Sequence, residues 1–399
     1  MKIARRQKDL GTETAFEVLA RARELEAQGK HIVHLEIGEP DFDTAPHIIE
    51  AAMNALRSGY THYCASAGMM EVRETFARYL TETRKVQFKP SEVVVSPGAK
   101  PIITLSLFAC VNEGEEVLYP NPGYPIYGSV IKYIGAKPVP YSLREEIDFS
   151  IDLDELTSLI TPKTKLIILN SPQNPTGGVL TKENLQGIAS LAQKHDLWVI
   201  ADEVYCYILY DGRKHHSIVS INGMKDRCII VDGHSKTYAM TGWRLGFGVM
   251  PEELAKEVTR LCTNFHSCTS PFIQLAGKAA IEGSQQCVKD MVDKFTGRRR
   301  LIIAELLKID GISCRVPKGA FYAFPNISSF GLSSLEMQNY LLEEHGVATL
   351  AGSSFGKYGE GYIRLSYANS PDNIKLGISR IATGLDKLRK SKKNNARKK

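Results

Sequence analysis

Lys236 sits in the stretch HSKTYAMTGWRLG (234–246), with Ser235 before it and Arg244 eight residues on. The stretch holds no acid and is rich in small residues. A lysine there is either a surface residue on a loop or an amine kept inside a site. An amine of the second kind is a nucleophile that condenses with an aldehyde. Other chemistry-bearing residues stand at comparable places. VVVSPGAK brings Gly98, Ala99 and Lys100 to a helix start, where backbone N–H groups suit a phosphate. LIILNSPQNPTGG brings Asn170 and Asn174, and WVIADEVY brings Asp202 with Tyr205 three residues on. CIIVDGHSK leads into Ser235 and Lys236. An amine for an aldehyde, a cradle with Arg244 for a phosphate, and an acid for a pyridinium nitrogen together meet the needs of pyridoxal phosphate.

The elements that must hold these residues are legible as a pattern. Strands are expected at Glu116–Tyr119, Lys137–Pro140, Leu166–Asn170, Trp198–Asp202, Cys228–Asp232 and Leu245–Val249, with a further short one in EVVVSPGAK. Several are continuous apolar runs, as parallel strands covered on both faces should be. Helices fall between some of them, such as PIITLSLFACV and TKENLQGIASLAQKH (181–195). The alternation predicts an α/β doubly wound sheet, whose ligands bind beyond the carboxyl ends of the strands. Upstream, Thr14 and Glu17 read as a capping box for a helix stopped by Gly29. HIIEAAMNALRS, with Pro46 ahead of it, and MMEVRETFARYLTETR read as two more helices. From about residue 277 the pattern becomes a long helical stretch followed by short elements, which predicts a smaller α+β domain. The expected division is an N-terminal segment 1–45 associated with the small domain, a large domain 46–280, a small domain 281–388 and a disordered basic tail 389–399.

Bulk composition limits the function. A chain of 399 residues is too long for one core. No window reaches the roughly 18 consecutive apolar residues of a membrane span. The start, MKIARRQKDLGTE, lacks the apolar core of a secretory signal. Eight scattered cysteines form no CxxC pair, and Cys262, His266 and Cys268 lack a second ligand pair, so no metal site is expected. Free thiols fit a reducing cytoplasm. The formal charge of +6 comes from the last thirteen residues, which hold eight Lys/Arg; without them 42 basic residues face 44 acidic ones. The body is therefore not basic, and neither nucleic acid nor membrane is an expected partner. His195, His215 and His216 lie in polar stretches and read as solvated, and Cys206 reads as packing.

The motifs EIGEPDF, SPGAK, NPGYPIY, NSPQNPTGG, ADEVY, SKTYAMTGWRLG and RLSYA, in that order, resemble the class I/II pyridoxal-phosphate aminotransferases of fold type I, in particular the aspartate and aromatic aminotransferase subgroup. The resemblance runs from LEIGEPDFDTAPH to YIRLSYANS. It implies that Lys236, Asp202 and Tyr205 are catalytic. Lys236 would bind the cofactor's aldehyde and then shuttle a proton, and Asp202 would pair with the pyridinium nitrogen. Asn174 and Tyr205 would bond the phenolic oxygen, while Tyr124 would stack on the ring. Gly98, Ala99, Lys100, Ser235 and Arg244 would hold the phosphate, and Tyr63 would reach the phosphate of a neighbouring subunit in a homodimer. Arg364, Gly38, Asn174 and Lys100 would face the substrate, with Arg364 forking its α-carboxylate. Many relatives have a serine where this chain has Gly233, which removes one phosphate hydroxyl.

The reaction so implied is ping-pong transfer of an amino group from an amino acid to a 2-oxo acid. The donor stays open between aspartate, glutamate and aromatic amino acids. Lys100 either meets a distal carboxylate or turns its side chain to solvent, and LGTETAF lies near the distal pocket in relatives. C–S β-lyase, oxidase or decarboxylase chemistry on the same cofactor is the alternative.

Overall fold

A computed structural model describes residues 2–396. At its centre β1 (Val93–Ser96), β2 (Glu116–Asn121), β3 (Lys137–Ser142), β4 (Thr164–Asn170), β5 (Trp198–Asp202), β6 (Cys228–Gly233) and β7 (Gly246–Val249) form one sheet. Its order is β1-β7-β6-β5-β4-β2-β3. Pairs from β6 across to β3 are parallel, and β7 runs antiparallel to both its neighbours. Residues of β1 and β6 are buried throughout, which is why these segments read as unbroken apolar runs. Helices such as Ala99–Cys110, Lys182–Lys194 and Glu252–His266 cover the sheet. Thr181 caps the second of these, its hydroxyl accepting from the Asn184 N–H at 3.2 Å.

The expected α/β doubly wound architecture is therefore present, with strand limits within two residues of those read from the sequence. β7 begins at Gly246, and an ideal Cβ there would lie 2.3 Å from the backbone nitrogen of Ala99. Only glycine lets this strand pass so close to the helix start beside it.

Beyond the sheet, the helices Gln286–Leu306, Ser334–His345 and Pro371–Ala396 accompany a three-stranded antiparallel sheet of Leu350–Ala351, Ile363–Ser366 and Tyr322–Ala323. Val33–His34 pairs in parallel with Val347–Ala348, tying the N-terminal segment to these C-terminal elements.

Three expectations need correction. The helix Thr14–Ala27 has Glu13 at its cap position and no side-chain cap, so Thr14 and Glu17 form no capping box. The Glu13 carboxylate instead binds Lys100 and Tyr124. The final helix runs on to Ala396, so residues 389–396 are not a disordered tail, and 397–399 lie outside the described residues. No Gly or Pro follows Gly384, and Lys and Arg both favour helix and complement the negative end of its dipole. His215 is not solvated: its Nε2 lies 3.0 Å from Glu203 with both side chains nearly buried. Cys206 is buried, as a packing residue should be.

His215 belongs to a buried charge cluster behind β5 and β6. Arg84, the last residue of the helix Met70–Arg84, donates from Nε to Glu203 Oε2 at 2.8 Å and approaches Asp232 Oδ2 at 3.7 Å. Burial alone would push the Glu203 carboxyl up, but Arg84, His215 and Ser217 hold it down to about 2. Asp232, for which burial outweighs the pull of Arg84, is pushed up to about 7. Glu203 follows Asp202, and Asp232 lies at the end of β6, so the cluster ties two strand ends together. Substituting Arg84→Met should cost about 3–5 kcal/mol by leaving Glu203 buried without its partner. Chemical denaturation of the variant beside the unsubstituted protein measures this, and a loss near zero would contradict it.

Candidate active site

Four strand ends open into one cavity of about 520 Å³. β1 delivers the turn at Gly98 and the N-terminus of the helix Ala99–Cys110. β4 delivers Asn170 and, after it, Asn174; β5 delivers Asp202; β6 leads through Gly233 to Lys236 on a single helical turn. The C-terminal elements add Tyr322 and Arg364, and the N-terminal segment adds Glu13, Gly38 and Glu39.

Lys236 is partly buried in this cavity, and desolvation is the main reason its ammonium is held down to about 8, with Arg364 and Arg244 adding to the effect against Glu39. Its Nζ donates to the Gly38 carbonyl at 2.6 Å. An ideal Cβ on Gly38 would lie 2.2 Å from the Tyr322 hydroxyl, so this carbonyl reaches the lysine only because residue 38 is glycine. Asp202 is buried as well. Desolvation raises its carboxyl to about 6, against the hydrogen bond from Tyr127. Tyr127 Oη donates to Asp202 Oδ2 at 2.5 Å, and the Asn170 amide donates to the Asp202 backbone carbonyl at 3.2 Å. The Asn170 side-chain oxygen in turn accepts from the Asn174 N–H at 2.9 Å.

At the β1 corner, Gly98 has φ of 96°, a left-handed conformation that opens the backbone toward the helix start. A Cβ there would lie 2.5 Å from Arg244 Nη2, so the guanidinium covers this turn. Ser235 faces the same cavity. Backbone donors of a twelve-residue helix, an arginine and a hydroxyl make a corner suited to a phosphate. Elsewhere in the cavity lining Arg364 donates from Nη1 to Asn174 Oδ1 at 3.1 Å and from Nη2 to the Glu36 carbonyl. Its guanidinium lies 4.5 Å from the Tyr322 ring centre, and its buried Nε has no hydrogen-bond partner among the described residues. Tyr205 and Tyr322 share a hydrogen bond of 2.8 Å between their hydroxyls.

The structure thus brings together Lys236, Asp202, Tyr205, Asn174, Tyr124, Ala99, Lys100, Ser235, Arg244, Arg364 and Gly38, with Gly98 at the same corner. Tyr63 is not in this cavity; it is 88% exposed on the surface of the chain. Lys100 does not turn freely to solvent, because its ammonium binds Glu13. Sequence reasoning did not single out Tyr127, Tyr322 or Glu13. Tyr127 carried a usable signal, lying one helical turn after Tyr124 in NPGYPIY. The set fits pyridoxal phosphate. A buried acid with no cation bonded to it, a buried amine of lowered basicity and an anion corner all face one cavity. No group of three or more His, Cys, Asp or Glu able to hold a metal occurs among the described residues, and no described helix is long and apolar enough to cross a membrane.

Comparison with known proteins agrees with this geometry. The family model for aminotransferase class I and II matches residues 30–381. The aspartate aminotransferase of Pyrococcus abyssi is 42% identical over 355 residues, 88% of this chain and 91% of that protein. The aromatic-amino-acid aminotransferase 2 of Thermococcus litoralis is 41% identical over 371 residues, 92% of this chain and 94% of that protein. A solved aspartate aminotransferase from Thermus thermophilus with maleate superposes with a TM-score of 0.93 at 32% identity, covering 96% of this chain and all of that one. A match so nearly end to end in sequence and in fold makes this chain a member of the class I and II aminotransferases, pyridoxal-phosphate-dependent enzymes that move an amino group from an amino acid to a 2-oxo acid.

Proposed function

We propose that Lys236 holds the cofactor through its aldehyde and carries the proton in a ping-pong transamination, with aspartate, glutamate or an aromatic amino acid as donor and a common 2-oxo acid as acceptor. The observation that carries this reading is the burial of Lys236 and Asp202 in one cavity with the Gly98–Arg244 corner. The names of the aspartate and aromatic relatives support the donor classes.

When bound, pyridoxal phosphate supplies an aldehyde for the amino group and a protonated ring that withdraws electrons from the substrate Cα. Asp202 keeps a proton at the ring nitrogen, and its carboxylate is favoured once a cation faces it. Tyr127 fixes the orientation of that acid, and Asn170 holds the backbone of the same residue. Gly98, Ala99, Ser235 and Arg244 seat the phosphate. Tyr205 and Asn174 hold the edge of the ring bearing the phenolic oxygen, and Tyr124 supplies an aromatic face. Arg364 binds the substrate α-carboxylate with donors already preset by Asn174 and Glu36, so little order is lost on binding. Lys236 would carry the proton between the substrate Cα and the bound cofactor, a role for which an amine of lowered basicity is suited near neutral pH. Tyr63, exposed here, would complete the phosphate site of a second copy in a homodimer.

Three measurements test this. Spectra of the purified protein recorded as single amino acids are added, without oxo acid, should show the cofactor's absorbance band replaced by that of its aminated form. Persistence of the band with release of ammonia, pyruvate or peroxide would instead mark lyase or oxidase chemistry. Lys236→Ala should lose the band and turnover together, and retained turnover would sink the assignment. Asp202→Ala should keep bound cofactor but lose about 100- to 1,000-fold in kcat, as removal of a preorganised charge does.

The Lys236 amine also predicts a pH dependence. An amine attacks an aldehyde only when neutral, and it is neutral above its pKa. The rate at which cofactor-stripped protein takes up pyridoxal phosphate should therefore rise with pH and level off above about 8. A rate still climbing toward the ordinary lysine range would show that burial does not control this group.

A further inference from the structure

The cavity contains one cation that neither the phosphate nor the α-carboxylate requires. Arg244 faces the phosphate corner, Arg364 stands beside Asn174, and Lys236 is the amine bonded to the Gly38 carbonyl. Lys100 is the remaining one, and it is already taken. Glu13 Oε1 accepts from Lys100 Nζ and from Tyr124 Oη, the latter at 2.9 Å. Both side chains are partly open to solvent, at 40% for Lys100 and 24% for Glu13. The lining of the same cavity includes the apolar residues Ala15, Phe16, Ile37 and Ile103, of which Ala15 and Phe16 follow Glu13 in the chain and Ile103 lies one turn after Lys100 on its helix. Glu13 is held in place from outside the cavity. The segment before it is fastened to the helix Ile126–Tyr133 by the Gly11 N–H to Ser129 Oγ bond of 2.8 Å, and Arg6 lies 5.6 Å from the Tyr133 ring centre.

We infer that Glu13 is a specificity-determining residue: its carboxylate occupies the place on Lys100 and Tyr124 that an acidic substrate side chain would take, so the two compete. The inference deepens the transamination proposed above and rests on its placing of the α-carboxylate at Arg364. A neutral aromatic or aliphatic side chain leaves the Glu13–Lys100 pair intact and meets a neutralised, largely apolar wall. An acidic side chain gains Lys100 only by displacing Glu13. It must also enter beside that carboxylate if it does not displace it. Selectivity between the two classes is then a difference of two binding energies in which Glu13 enters only one.

The test uses the cofactor-loaded enzyme and two carboxylates that cannot be transaminated, maleate for the acidic class and 3-phenylpropionate for the aromatic class. Affinity is read by calorimetry and by the change in cofactor absorbance. Glu13→Gln should tighten maleate about three- to fivefold, the upper worth of one partly exposed ion pair, and change 3-phenylpropionate by less than twofold. In a Lys100→Met background the same Glu13 substitution should give maleate no gain, because the contested cation is gone. Maleate bound no more tightly by Glu13→Gln, maleate binding too weak to measure in both proteins, or an equal shift for both ligands overturns the inference. Absence of the cofactor band in the unsubstituted protein would count against the site assignment itself. An intact band with unaltered maleate affinity overturns the role of Glu13 alone.

Discussion

The burial of Asp202 at the end of a central parallel strand is the constraint around which the site is built. A carboxylate in that position has lost its water and holds few replacements, a phenol from Tyr127 and a distant backbone N–H of Val204. Such a group either takes up a proton or awaits a cation. At the very next residue, Glu203 solves the same problem differently, with Arg84, His215 and Ser217 as permanent partners. The contrast separates structure from chemistry: the acid with built-in partners braces the strands, and the acid without them faces the cavity.

Lys236 is the mirror case. It is a buried amine whose nearest bonded partner is a neutral carbonyl, that of Gly38. Opposite charges left incompletely matched inside one cavity are unfavourable for the folded chain by itself, and functional sites characteristically accept that imbalance. What tolerates it here is a rigid frame. β4, β5 and β6 each have a neighbouring strand on both sides, so the polar residues at their tips inherit fixed positions.

That frame is why so much was legible in the chain itself. Buried parallel strands must be apolar along their length, so the place where each apolar run gives way to Asn170, Asp202 or Gly233 is visible without any structure. What stayed hidden depends on contacts distant in sequence. Tyr127 meets Asp202 across 75 positions, Glu13 meets Lys100 across 87, and Tyr205 meets Tyr322 across 117. Nothing local distinguishes Glu13 or Tyr322 from other residues of their kind. The misread start of the first long helix has the same origin, since a plausible cap in TETAFE is set aside when Glu13 is drawn to a lysine elsewhere. His215 is hidden differently. Its neighbours Arg213, Lys214 and His216 are polar, and the loop nonetheless folds beneath Glu203.

The corner between Gly98 and Arg244 has a mechanical side. β1 is an edge strand, held to the sheet by antiparallel pairing with β7 alone. Gly98 follows β1, and Arg244 precedes β7, so the two halves of the anion corner belong to the two partners of that single pairing. An anion seated there acts as a rivet at the rim of the sheet. Its attraction adds to the ladder of main-chain hydrogen bonds, and whatever pulls β1 away from β7 must first tear that rivet out.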